Sequence, residues 1–187
     1  MLPIVVVEGP SGVGKDSVIR KLCELNPGVF LKMPSITSRE RREGETHGVT
    51  YFYVDKEAFE KMIKEGDVFE HTERHGTYRG MSKKIIDDIL SCGLIPVKDC
   101  DWVGTMALRK EYKDRVLTIF INAPREEIIK RIKERGGNEQ DIIVRIKDYD
   151  DKIKEINNYD HVVDNIVVED AANEVCKLVE SFCKNLK

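Results

Sequence analysis

The tightest constraint on this chain lies near its start, where the unbroken β-branched run Ile4-Val5-Val6-Val7 leads into Gly9-Pro10-Ser11-Gly12-Val13-Gly14-Lys15-Asp16. An apolar run of strand length with no polar alternation reads as a strand buried on both faces, the kind found in parallel sheets. The glycine spacing that follows is GxxxxGK. A loop whose backbone N–H groups converge on an anion needs glycine at Gly9, Gly12 and Gly14, where a Cβ would block the approach or the φ angle. It also needs a helix N-terminus beneath it and a lysine that reaches terminal phosphates, a part that falls to Lys15. In the order strand, loop, helix, the segment predicts a triphosphate cradle, in preference to a glycine turn that happens to precede a lysine. Asp16 stands where the pattern has Ser or Thr as a magnesium ligand. A carboxylate is a hard-oxygen ligand and can hold the metal directly or through water. It can equally cap the helix and meet its positive end.

Strand and helix alternate along the rest of the chain. Val116 to Ile121 is a second buried-type run and Val162-Val163 a shorter one. Val18, Leu22 and Leu25 share a helical face, as do Ile128, Ile129 and Ile132, and Val175, Val179, Phe182 and Leu186 line a closing helix. That alternation predicts an α/β fold. The stretch from 35 to 82 breaks the rhythm with Tyr51-Phe52-Tyr53, a helical pattern from Lys56 to Lys64, and Val68-Phe69-Glu70 and Thr77-Tyr78 around Gly76, as an inserted α+β lobe would. After Pro124, one helix runs to Arg135 before Gly136-Gly137-Asn138, and another carries Ile142, Ile146, Tyr149 and Ile153 on one face. Two basic helices meeting at a Gly-rich tip suit a lid over residues 125–155. The predicted organisation is a core of 1–34 and 83–187 with the lobe at 35–82.

Composition removes several function classes. Of 187 residues 35% are charged, yet the formal net charge is −3, so no global basic field recruits nucleic acid. Cys23, Cys92, Cys100, Cys176 and Cys183 are scattered, with no CxxC or Cys/His spacing for a metal, and are expected as reduced thiols in the cytoplasm. The first residues lack a signal-peptide pattern, and no apolar stretch approaches the roughly twenty residues that span a bilayer. Small-molecule partners are expected, with neither nucleic acid nor membrane.

A second motif, Ser35-Ile-Thr37-Ser-Arg39-Glu-Arg-Arg42-Glu-Gly44-Glu45-Thr-His-Gly48-Val-Thr-Tyr51-Phe-Tyr, follows the loop. Together with GPSGVGK it resembles the guanylate kinases, whose pattern SxTxRxxRxGExxGxxYxF it reproduces, and the resemblance covers nearly the whole chain. It implies a three-layer P-loop core with a five-stranded parallel sheet, a monophosphate-binding lobe, a helical lid, and transfer of the terminal phosphate of ATP to GMP or dGMP with Mg2+. Carried onto this sequence, it implies that Gly9, Pro10, Ser11, Gly12, Val13, Gly14, Lys15 and Asp16 hold ATP. It places Arg39, Arg42 and Tyr51 on the GMP phosphate, where guanidinium forks and a phenol are apt donors. It places Ser35, Glu70 and Asp101 on the guanine edge, where carboxylates accept from N1–H and the exocyclic amine. Asp99, with Asp16, is the candidate metal ligand. Lys15, Arg42, Arg135 and Arg145 are the candidate catalytic cations, with Arg131 a weaker lid candidate, and Asn165 falls near the family's adenine-side asparagine.

The chain departs from the family at four points. Where the family has HGxYYGTS, the sequence is His75-Gly-Thr-Tyr78-Arg79-Gly80-Met81-Ser82: Tyr78 is retained for the acceptor, and Arg79 replaces a phosphate-donating tyrosine. Met81 replaces the hydroxyl that donates to the guanine carbonyl, leaving that donor to Ser82 or another group. Pro96 removes a ladder donor from a strand expected inside the sheet, and Lys98 stands where the family is apolar. Either that strand is bulged, or Lys98 points into the site and pairs with Asp99 or a phosphate. Two other functions fit parts of the pattern: a ribose bisphosphokinase, since those P-loop relatives also carry GKD, and a non-catalytic binding domain like those of membrane-associated scaffolds. The set Arg39, Arg42, Tyr51, Glu70 and Asp101 opposes the first, and the intact loop opposes the second.

Overall fold

The computed structural model describes residues 1–134, 136 and 138–186. Its main sheet is parallel throughout, with β1 (Ile4–Glu8) in the middle. On one side lie β7 (Ile95–Asp99) and the short edge strand β2 (Phe30–Lys32), and on the other β8 (Val116–Asn122) and β9 (His161–Asp164). The period-two geometry of β1 divides its side chains between two cores. Val5 and Val7 meet Val18, Ile19 and Leu22 of α1 (Lys15–Leu25) and Val175 and Val179 of α7 (Val168–Asn185). Ile4 and Val6 meet Ile86 and Ile89 of α3 (Lys83–Ser91) and Leu108 of α4 (Trp102–Tyr112). Each of these four side chains is fully buried, stabilising the fold by roughly 1.5–3 kcal/mol apiece. The expected three-layer α/β core with a five-stranded parallel sheet is thus present.

The segment 35–82 carries a second sheet, in the order β4 (Tyr51–Tyr53), β3 (Ser35–Thr37), β6 (Thr77–Ser82), β5 (Val68–Arg74), with α2 (Lys56–Lys64) packed below through Phe59 onto Ile36 and Val68. Asp55 caps α2 by accepting from Ala58 N. Ser35 and Thr37 lie on the face opposite Ile36. Between Val68 and Glu70 the register of β5 against β6 shifts by one residue, so that Glu70 pairs with Met81 after Val68 has paired with Ser82. A regular strand would turn Glu70 toward α2. The bulge turns it to the same face as Met81 and Arg79, which also carries Ser35. Gly80 permits this close passage, since a Cβ there would lie 2.4 Å from the Glu70 carbonyl oxygen.

After β8, α5 (Arg125–Glu134) and α6 (Glu139–Lys152) form a helix pair, and Asn138 and Asp141 build a reciprocal capping box at the start of α6. Strand β7 is not bulged around Pro96: its pairings with β2 and β1 run in regular register. The ladder with β1 begins at Val5 and Val97, so the donor missing at Pro96 falls just before the paired stretch.

Candidate active site

The loop between β1 and α1 takes its shape from glycines. Gly9 has φ 149°, and a Cβ on it would lie 2.1 Å from the Ile121 carbonyl oxygen of β8; Gly14 has φ 96°, and a Cβ would meet the Asn165 amide nitrogen at 2.6 Å. Gly14 is the N-cap of α1 and no side chain caps this helix, which excludes the capping role considered for Asp16. The Asp16 carboxylate instead accepts from Lys32 of β2, and that hydrogen bond holds its pKa below the usual carboxylate value. Lys15 folds back over the loop, its ammonium donating to the carbonyls of Gly9 and Pro10. Burial pulls the Lys15 pKa down, and the nearby Asp99 carboxylate opposes the shift.

The helix pair α5 and α6 rests on this loop. Arg145 of α6 donates from Nη1 to Ser11 Oγ at 3.2 Å, and Asp148, one turn on, accepts from the Ser11 backbone N–H at 2.7 Å. Arg131 of α5 donates to the carbonyls of Val13 (3.1 Å) and Asn165 (2.8 Å) and pairs with Glu127, so it ties loop, lid and the approach to α7 together. Asn165 lies fully buried, with its amide nitrogen on the Val13 carbonyl at 2.7 Å. Arg135 lies outside the described residues.

Beside the loop a cavity of about 430 Å³ opens between the cleft face of the lobe sheet and the ends of β7 and α4. Ser35, Arg39, Tyr51, Glu70, Arg79 and Asp101, the residues named for the acceptor, all line it, together with Met81 and Lys98. Arg39 and Arg79 flank the Tyr51 ring, 5.6 and 5.0 Å from its centre. Glu45 holds Arg39 in place through both carboxylate oxygens, at 2.8 and 3.0 Å, and this pair lowers the Glu45 pKa to about 2. Asp101 is the N-cap of α4: Oδ1 accepts from Gly104 N at 2.9 Å and Oδ2 remains to accept from a ligand. Glu70 is half-buried, and burial first, then the Asp101 charge, raises its pKa. Asp99, Cys100 and Asp101 also line a second cavity of about 290 Å³ that contains Gly9, Ser11, Lys15, Asp148 and Lys152, so one short segment separates the phosphate loop from the lobe pocket.

Tyr78 and Arg42 are placed differently from these six. Tyr78 exposes its backbone to the pocket, but strand alternation sends its ring to the other face, stacked on Phe59 at 5.1 Å with its hydroxyl toward Glu60. Arg42 is exposed on the turn before Glu45, outside the cavity wall; its backbone N–H donates to the Glu45 carboxylate, its carbonyl accepts from Glu45 N, and its guanidinium has no hydrogen bond or ion pair among the described residues.

The family model described as guanylate kinase matches residues 1–182. A curated guanylate kinase from Fusobacterium nucleatum is 33% identical over 180 residues, covering 96% of each chain. One from Anaplasma phagocytophilum is 30% identical over 95% of this chain and 86% of its own. The chain belongs to the guanylate kinase family. A crystal structure of guanylate kinase from Anaplasma phagocytophilum matches this one with a TM-score of 0.69 at 26% identity, covering 96% of this chain and 85% of that one. As a guanylate kinase the chain is a nucleoside monophosphate kinase, a nucleotide-binding transferase.

This guanylate kinase carries a buried charge cluster that the sequence reading missed. Glu8, the last residue of β1 and 3% exposed, accepts from the Lys152 ammonium at the end of α6 and from the Tyr159 hydroxyl. An acid closing a β-branched run directly before a phosphate loop was one available signal. The spacing of Arg145, Asp148 and Lys152, which shares one face of α6, was another. Removing one partner of a buried pair strands the other charge. Lys152→Met is therefore expected to lower the unfolding free energy by about 2–4 kcal/mol, and the double variant with Glu8→Gln by less than the sum of the singles, by about 1 kcal/mol or more. Urea denaturation of the four proteins measures both.

Proposed function

We propose that the chain transfers the terminal phosphate of ATP to GMP or dGMP, in line and with Mg2+, with ATP on the Gly9–Asp16 loop and the acceptor in the lobe pocket. The observation that carries this reading is the shared wall Asp99–Asp101: one face belongs to the phosphate loop, the other to a pocket with paired carboxylates at one end and Arg39, Tyr51 and Arg79 at the other. Glu70 and the free oxygen of Asp101 are set to accept from guanine N1–H and the 2-amino group. The arginines and Tyr51 donate to the acceptor phosphate, which they turn toward the loop.

The protein's part is positioning and charge neutralisation, with no covalent intermediate. Lys15 and Arg145 bring positive charge to the transferring group, Arg135 of the lid tip is proposed to join them, and Arg42 to reach the acceptor when the lobe closes. Ser11 N–H, now held by Asp148, is available to a phosphate once that carboxylate swings away. Closure of the segments 35–82 and 125–155 excludes water that would otherwise hydrolyse ATP. Among the described residues no three His, Cys, Asp or Glu side chains converge as a metal cage. Mg2+ takes one or two carboxylates together with phosphate oxygens and water. Asp99, which lines the cavity at the phosphate loop, fits as one of these, and Asp16, whose Oδ1 is held by Lys32, has Oδ2 left to serve as the other; the ion would neutralise phosphate charge there. The five free cysteines suit a reducing cytoplasm, and among the described residues no helix is long and apolar enough to cross a membrane.

Steady-state comparison of GMP, dGMP, AMP and ribose bisphosphate is expected to favour the guanine nucleotides by about 100-fold or more. An equal rate with the base-free acceptor would discard the proposal. The raised pKa of Glu70 sets a pH dependence. The ionised carboxylate accepts from N1–H, and protonation removes that acceptor. On acidification kcat/KM for GMP should therefore begin to fall above the ordinary carboxylate range, and Glu70→Gln should flatten that limb of the profile. For the metal, Asp16→Ala should raise the Mg2+ concentration for half-maximal rate by about 10-fold, while Asp16→Ser keeps it near the parent value. Superimposable magnesium titrations of parent and alanine variant would remove Asp16 from the metal site.

A further inference from the structure

The Lys98 side chain lies 3% exposed in the wall of the acceptor cavity. A buried ammonium without a partner costs several kcal/mol, so its contacts are informative. Its Nζ donates to Ser35 Oγ at 2.6 Å and more distantly to the Met33 carbonyl at 3.4 Å. Among the described residues it forms no ion pair, and burial lowers its pKa. Of the two alternatives for this strand, Lys98 does point into the site, and in place of an ion pair with Asp99 it bonds a buried hydroxyl.

That bond decides what the hydroxyl can do. A serine oxygen has two lone pairs and one proton. Ser35 Oγ accepts from Lys98 and, at 3.4 Å, faces Arg79 Nε as well. Both lone pairs are turned toward cations, which leaves the proton to be given away, and no described residue takes it. Nearby groups do not compete for the task. Met81, opposite Glu70 on the same face, has no proton to give. Ser82 is the N-cap of α3, accepting from Ile85 N, and its hydroxyl is spent on the Asp67 carboxylate at 2.9 Å. The cavity therefore sets the acceptors Glu70 and Asp101 beside a hydroxyl committed to donating, with the guanidiniums of Arg39 and Arg79 over the Tyr51 ring.

We infer that Lys98 fixes Ser35 as a hydrogen-bond donor to the oxygen at position 6 of the acceptor's purine, replacing the donor missing at Met81 and excluding an amino group at that position. The inference rests on the proposed placement of the base between Ser35, Glu70 and Asp101. A 6-amino purine would bring N–H donors against the Ser35 hydroxyl and the Lys98 ammonium and leave buried donors unpaired. Lys98 acts through Ser35 and is a positioning residue.

The test compares three acceptors on the parent protein, Lys98→Met and Ser35→Ala: GMP; its 6-thio analogue, which keeps N1–H and the 2-amino group but accepts hydrogen bonds weakly at position 6; and 2,6-diaminopurine ribonucleoside monophosphate. In the parent, GMP should exceed the thio analogue by about 10-fold in kcat/KM and the diamino analogue by about 100-fold or more. In Lys98→Met, kcat/KM for GMP should fall by about 10–100-fold and the GMP-to-thio ratio should contract to about 3-fold or less. Because the ratio is taken within one variant, a general loss of stability leaves it unmoved. If Lys98→Met does not fold, Ser35→Ala must show the same contraction. An unchanged ratio in either folded variant, or equal loss on all three acceptors, overturns the inference. A parent enzyme that does not distinguish GMP from the diamino analogue overturns the placement of the base itself.

Discussion

Strand β1 has no free face and no free edge: helices cover both sides, and β7 and β8 bond along both edges. A strand so enclosed can neither slip nor tilt, and its C-terminal end becomes the reference point for everything built around it. Gly9 leaves that end so close to β8 that no side chain fits between them. The phosphate loop is thereby clamped to the sheet, and Arg131 and Asn165 hold its far side through the Val13 carbonyl. The candidate site gathers at the carboxyl ends of the parallel strands, where open α/β sheets leave a crevice. Glu8 and Gly9 close β1, Asp99 closes β7, and the chain leaving β8 enters the lid.

That rigid frame carries charges in unusual places. Glu8 and Lys98 are both buried, and each is answered from another element: Glu8 by the end of α6 and by Tyr159, Lys98 by Ser35 at the root of the lobe. Buried charges are costly unless hydrogen-bonded, so each such contact sets a preferred position for the part that supplies it. One ties the lid to the sheet end and the other ties the lobe to β7. The main sheet, the segment 35–82 and the helix pair α5–α6 thus meet through polar contacts at the cleft.

What could be seen in the residues divides along the range of the forces involved. The loop, its flanking strand, the alternation that makes the core α/β and the cavity wall of Ser35, Arg39, Tyr51, Glu70, Arg79 and Asp101 follow from local patterns and from motif resemblance. Tyr78 was expected at the acceptor because of its place in a motif, and the pleat of β6 sends it to Phe59 instead. Asp16 offered two local roles; the helix begins with Gly14 as its N-cap, and a lysine sixteen residues away engages the carboxylate instead. Glu70 reaches the cleft only through a bulge that pairing with β6 creates, which no pattern within β5 announces.

The sequence by itself determined the chemistry available: a glycine loop that admits phosphate, carboxylates and guanidiniums in the right order for a nucleotide, and apolar periods that demand a layered core. These are properties of a few neighbouring residues, set by backbone sterics and side-chain type. Only the tertiary structure decided which groups face one another. Lys98 and Ser35 lie sixty-three residues apart in the chain, as do many other partners whose meeting depends on sheet order and register. Their contact turns an unplaced lysine and an ordinary serine into a directed donor, because burial makes the 2.6 Å bond between them the shortest contact either side chain has.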